Sequence, residues 1–170
     1  MSKPELRSNH LFTLSLTVDP DMTDVGETPY GRRRIAAVTG GTFEGEEIRG
    51  TVLPAPGGDW LLLRRDGILM LNVRLTLKTD DGHLIYMRYE GMRHGPGWVI
   101  EQLNKGEKVD PSQYYFRTTP WFETSSEKVT ETLPRAVVQS YVVVVLAGPF
   151  GRPGEPPLPA DATQLAASLP

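Results

Sequence analysis

The chain contains no cysteine. Disulfides, thiolate nucleophiles and cysteine-held zinc or iron–sulfur centres are therefore excluded. Histidine is scarce as well: His10, His83 and His94 are the only three, and none has a close metal-ligand spacing to another. No metal site is expected from them. No serine sits in a Gly-x-Ser-x-Gly context, so a hydrolytic triad is not expected. No stretch approaches the roughly 20 apolar residues that a membrane helix needs. "YVVVVLAG" is too short to cross a bilayer and reads as a buried strand. The opening "MSKPELRSNH" lacks the apolar segment of a signal peptide, so a soluble, cytoplasmic protein is the expectation. A net charge of -3 gives no electrostatic reason to expect nucleic acid or an anionic membrane as partner. The basic triplet Arg32-Arg33-Arg34 is soon followed by Glu44, Glu46 and Glu47. "GGTFEGEE" has the outer glycine spacing of a phosphate loop, but Glu46-Glu47 stand where a lysine and a hydroxyl would be needed.

Sustained helical periodicity is also missing. Short strand-like runs separated by Gly, Pro and Asp-Gly punctuation take its place. His10–Val18, Arg34–Phe43, Ile48–Leu53, Trp60–Arg65, Ile68–Thr79, His83–Glu90, Ser112–Thr118 and Trp121–Thr124 read as extended, with Pro120 interrupting the last two. Val137–Ala147 reads as the most strand-prone run and a candidate closing strand. Asp19–Gly31, Pro54–Asp59 and Gly91–Trp98 read as loops, Asp80-Asp81-Gly82 as a hairpin turn, and Trp98–Asn104 as the one short helix. With 39% apolar and 23% charged residues, the chain is predicted to form one globular domain over residues 1–147. Residues 148–170 hold six of the fifteen prolines and read as a flexible Pro-rich tail.

Both arms of "LTLKTDDGHLIYMRYEG" raise one question. The first alternates cleanly, whereas the second carries Tyr86, Arg88 and Glu90 on one side and Met87 and Tyr89 on the other. Polar or aromatic groups on both faces suit a sheet closed around a small cavity better than a sandwich with one wet face. The expectation is an all-β, antiparallel, closed or nearly closed β-barrel of calycin or lipocalin-like shape, with at most one short helix.

The stretches "GRRRIAAVTGGTFEGEEIRGTVLPAPGGDW", "RDGILMLNVRLTLKTDDGHLIYMRYEGMR" and "VDPSQYYFRTTPWFET" together resemble the domain of unknown function 3237 family over Leu11 to Thr124. The resemblance implies a small β-barrel-like domain and names no reaction. The chain departs from that pattern twice. Asn72 stands where relatives typically carry Asp. After Thr124, "SSEKVTETLPRAVVQSYVVVVLAG" replaces a block near Tyr-x-Trp-Leu-Asn, so no role resting on that asparagine carries over.

The candidate site residues follow from the same face arithmetic. Met70, Asn72, Arg74 and Thr76 share one face of their strand; if it looks inward, Arg74 could hold a carboxylate or enolate oxygen in its planar fork. If it looks at water, Arg74 is a solvated arginine. Tyr86, within about two residues of Arg74 across the hairpin, is a candidate phenolic proton donor. Asp59 is either a general base at the barrel rim or the cap of its own turn. Glu123, beside Trp121-Phe122, is either an acid of raised pKa or a surface partner of Arg117. Trp60, Asn72, Tyr115 and Arg117 complete the set as ligand-binding candidates. The function expected is small-molecule binding, with catalysis, if present, of a cofactor-free isomerase, dehydratase or lyase type. The alternative is a non-catalytic binding module or homo-oligomer.

Overall fold

The computed structural model describes residues 10–133 and the two-residue strand at 145–146. The strands are β1 (Thr13–Val18), β2 (Thr23–Thr28), β3 (Gly31–Glu44), β4 (Arg49–Val52), β5 (Gly58–Leu63), β6 (Leu69–Thr79), β7 (Leu84–His94), β8 (Tyr115–Glu123) and β9 (Val145–Leu146). Two short helices are present, α1 (Gly97–Asn104) and α2 (Glu127–Thr132).

All nine strands belong to one sheet, with the path β8-β7-β6-β4-β3-β1-β9; β2 joins β3, and β5 joins both β3 and β6. The pairings are antiparallel except for β9, which runs parallel to β1. The long strands β3 and β6 organise the rest. The first half of each pairs with β5, and the second half with β4. The corner between β4 and β5 is tied by Leu53 N–H to Thr76 O at 2.8 Å and Val38 N–H to Gly57 O at 3.0 Å. The sheet coils until β8 approaches the start of β1, but no ladder joins those two strands among the described residues. Rings bridge that gap: Phe12 lies 5.8 Å from Phe122 and 5.3 Å from Phe43. Val129 of helix α2 and Leu133 just after it pack into the core. Lys128 of α2 grips the Asp81 carboxylate in the β6–β7 turn, and that contact with the Thr79 hydroxyl holds the acid at about 2. The fold is thus a mostly antiparallel, barrel-like sheet that no backbone ladder strictly closes among the described residues, with rings packed across the gap.

The alternation in β6 decides which face turns inward. Leu71, Val73, Leu75 and Leu77 are buried, and Ile85, Met87 and Tyr89 of β7 meet them from across the hairpin. Burying the face with the continuous row of branched apolar side chains removes more hydrocarbon from water than burying the other would. The opposite face, carrying Arg74 and Tyr86, is consequently the outer one. This corrects the interior placement considered for those residues.

Several boundaries differ from the expectation. The segment expected as the loop Asp19–Gly31 contains β2, a strand with little apolar character held by its hairpin with β3. The stretch from Gly91 to His94 extends β7 rather than beginning a loop. Pro120 does not interrupt β8; among the described residues the strand is paired on one side only, so a residue without an N–H is accommodated. Of the closing strand expected over Val137–Ala147, only Val145–Leu146 falls within the described residues, and the tail expected at 148–170 lies outside them.

Candidate functional site

Along the inner face the chemistry changes from one barrel end to the other. Leu77, Ile85, Leu75 and Met87 occupy one end and are wholly apolar. Towards the other end the inward positions of β7 become Tyr89, Gly91 and Arg93, and a carboxylate joins them from β5. That carboxylate is Asp59. Its neighbours in register are Ala36 of β3 and Val73 of β6, both buried, so Asp59 shares their inward face. Val73 pairs in turn with Tyr89, and Tyr89 with Pro120. Ala36, Asp59, Val73, Tyr89 and Pro120 therefore form one row across five strands.

Asp59 was expected in a loop, with a local turn cap as one reading. The strand β5 begins at Gly58, and the contact is not local. The β5–β6 pairing lapses between Asp59–Val73 and Leu62–Met70, and Asp59 Oδ1 accepts the freed N–H of Asn72 at 3.0 Å. No second hydrogen bond to the carboxylate is present among the described residues, and the side chain remains partly reachable by solvent. Burial pushes its pKa up to about 6, against the opposing pull of the Asn72 N–H and the Arg33 charge. Burial, reinforced by the charge of Asp59, drives the Tyr89 phenol well above its ordinary range.

Arg93 lies four residues further along the same face of β7, opposite Leu69 of β6. Its Nη2 donates to Asn104 Oδ1 at 2.9 Å, while its buried Nε has no partner among the described residues. Burial lowers its pKa, partly offset by the nearby Tyr114. Face arithmetic confined to His83–Glu90 missed Arg93, because Gly91–His94 was read as loop. Extending the period of β7 by four residues would have found it.

The remaining predicted residues lie elsewhere. Arg74 is exposed, its guanidinium 5.0 Å from the centroid of the Trp60 ring, and Arg74 Nη1 donates to Asn72 Oδ1 at 3.1 Å. Tyr86 and Glu123 pair across β7 and β8 on the outer face, where Glu123 is exposed. Tyr115 stacks on His94, with centroids 5.0 Å apart, and Arg117 lies over the Tyr115 ring at 5.4 Å. Thus Asp59 alone of the proposed catalytic set lies on the inner face, and Arg74, Tyr86 and Glu123 do not accompany it.

The profile of a family described as a protein of unknown function, DUF3237, matches residues 6–140. The chain belongs to this family. A curated relative from Rhodopseudomonas palustris, named as a UPF0311 protein, is 40% identical over 121 residues, which covers 71% of this chain and 78% of the relative. The crystal structure of a conserved protein of unknown function from the same organism has a TM-score of 0.71 at 37% identity, covering 77% of this chain and 85% of that one. A β-barrel-like protein from Acinetobacter baumannii gives a TM-score of 0.57 at 37% identity, with 78% and 85% covered. A structure described as an enzyme from Penicillium herquei gives 0.56 at 20% identity, with 78% and 81% covered; at that identity the likeness concerns the DUF3237 chain's fold alone. Among the described residues no group of three or more His, Asp or Glu converges as metal ligands would, and no helix is long and apolar enough to cross a membrane.

Proposed function

We propose that the chain is a small-molecule-binding barrel that performs cofactor-free proton transfer on a carbonyl-bearing compound, with Asp59 as the proton carrier. The observation that carries this reading is an inward-facing, largely buried carboxylate that keeps one oxygen without a hydrogen bond among the described residues. A carboxylate titrating at about 6 is a better base than an ordinary aspartate and still ionises at neutral pH. Tyr89 would stay protonated throughout and orient the substrate. The likeness to a fungal protein described as an enzyme supports the view that this barrel can house catalysis, without transferring that protein's reaction.

The test is deuterium uptake at the α-carbon of enolisable keto acids and lactones in D₂O, followed by proton NMR. The wild type should exchange at least one member of the panel, with a rate that rises with pH around a midpoint near 6. Asp59→Asn should slow that exchange by about 10²–10⁴-fold with the fold retained. No exchange across the panel, or an unaffected variant, would remove the assignment.

The same carboxylate has a stability consequence. Its folded pKa is about 6 against 3.8 for an unperturbed aspartate, so between those values the unfolded chain releases its proton first. Stability therefore falls as pH rises through that interval and levels off above it, by an amount bounded at about 3 kcal/mol. In Asp59→Asn this contribution is absent, while an amide oxygen still accepts from Asn72. Paired urea titrations at pH 4 and pH 7 should show the variant gaining on the wild type by about 2 kcal/mol at the higher pH. An equal difference at both pH values would contradict the raised pKa.

A further inference from the structure

The outer face of β6, β7 and β8 carries a groove of about 420 Å³ that the inner-face reading does not use. Its floor is built of three cross-strand rungs on β6 and β7: Met70 opposite Met92, Asn72 opposite Glu90, and Arg74 opposite Arg88. The last rung is unusual. Like charges directly opposite in a sheet repel one another, and a carboxylate close to both normally relieves the cost. Neither guanidinium has a carboxylate within salt-bridge distance among the described residues. Instead each lies against an indole, Arg74 over Trp60 at 5.0 Å and Arg88 over Trp121 at 5.4 Å. Indole stacking fixes the planes of the two forks but leaves their N–H groups largely unanswered; Asn72 Oδ1 accepts one from Arg74.

We infer that this groove is a binding site for an aromatic monocarboxylate, its carboxylate held by the unpaired forks of Arg74 and Arg88 that line it. Charge selects the class. Two arginines against Glu90 leave the groove at a net +1, which matches a monoanion better than a phosphate dianion. The ring lies beside Trp121, and the Met70–Met92 rung closes the far end with adaptable apolar surface. Asn72 joins the two faces of the sheet: its backbone N–H serves Asp59 inside while its side chain serves Arg74 outside. The site nevertheless stands independently of any chemistry at Asp59.

Three tryptophans make the site easy to monitor. Titrating the full-length ¹⁵N-labelled chain with 4-hydroxybenzoate should move the indole N–H signals of Trp60 and Trp121 saturably. Trp98, on α1, should stay in place and act as an internal control. The uncharged 4-hydroxybenzamide and inorganic phosphate should each bind at least tenfold more weakly. Arg88→Met and Arg74→Met, both at exposed positions, should weaken 4-hydroxybenzoate at least tenfold with the rest of the spectrum preserved. Equal binding of the amide or of phosphate, or shifts at Trp98 matching those at Trp60 and Trp121, would overturn the site. So would full affinity in both arginine variants. The amide and phosphate comparisons use the wild type alone and remain decisive if a variant does not fold.

Discussion

Gly41→Ala should leave too little stability for a cooperative native state at 37 °C. Gly41 lies inside β3, between Leu16 of β1 and Val52 of β4, with a φ of +145°. A Cβ added there would sit 2.1 Å from Ser15 O and 3.1 Å from Leu16 Cα. Both atoms are backbone of a paired strand, so relief requires β1 to leave its ladder. The dihedral strain adds to the collision, because side chains disfavour that φ. Together these should cost about 4 kcal/mol or more, a large share of the 5–15 kcal/mol typical of a domain. Gly82→Ala is the matched control. Its φ is +93°, yet nothing lies within 4 Å of the added atom, so strain alone should cost about 1–2 kcal/mol. Thermal melts followed by circular dichroism separate the two. If both variants melt within a few degrees of each other, the close strand approach at Gly41 is not what limits the fold.

Phe43→Ala should produce the second large loss, and it should be felt across the barrel seam. Phe43 is 1% exposed and packs on Phe12, which reaches Phe122 of β8. Truncating a buried phenylalanine costs about 3–5 kcal/mol through lost transfer energy and the cavity left behind. Here the cavity opens where no backbone ladder joins β1 to β8. Urea unfolding should therefore show the loss, and hydrogen exchange in β8 should accelerate beyond what global destabilisation explains. Phe43→Leu, which keeps more of the apolar volume, should recover most of the stability. A loss under about 1 kcal/mol, with β8 exchange unchanged, would mean that the seam is held by something other than these rings.

The same features show how far the chain could be read in advance. The all-β class follows from short alternating runs and from Asp-Gly turns, both of them local properties. Leu71, Val73, Leu75 and Leu77 share a face because strand side chains alternate, whatever else the chain does. The strand β2 escaped notice because Thr23–Thr28 has few apolar side chains and exists through its pairing with β3. Pro120 suggested a break because β8's pairing on one side only among the described residues is not a local property. Asp59 could be singled out from its place after Gly-Gly, but the acceptor role that sets its environment depends on Asn72, thirteen residues on in the chain.

Periodicity by itself determined that Arg74 and Asn72 stand together and that Val73 and Leu75 stand opposite them. Which set faces inward is a property of the coiled sheet, since coiling buries the face that removes the most hydrocarbon from water. That step put Arg74 beside Trp60 on the outside and set Asp59, Tyr89 and Arg93 on the inner face. Side-chain alternation is written into neighbouring residues. The direction in which a sheet curls depends on strands far apart in the chain meeting one another.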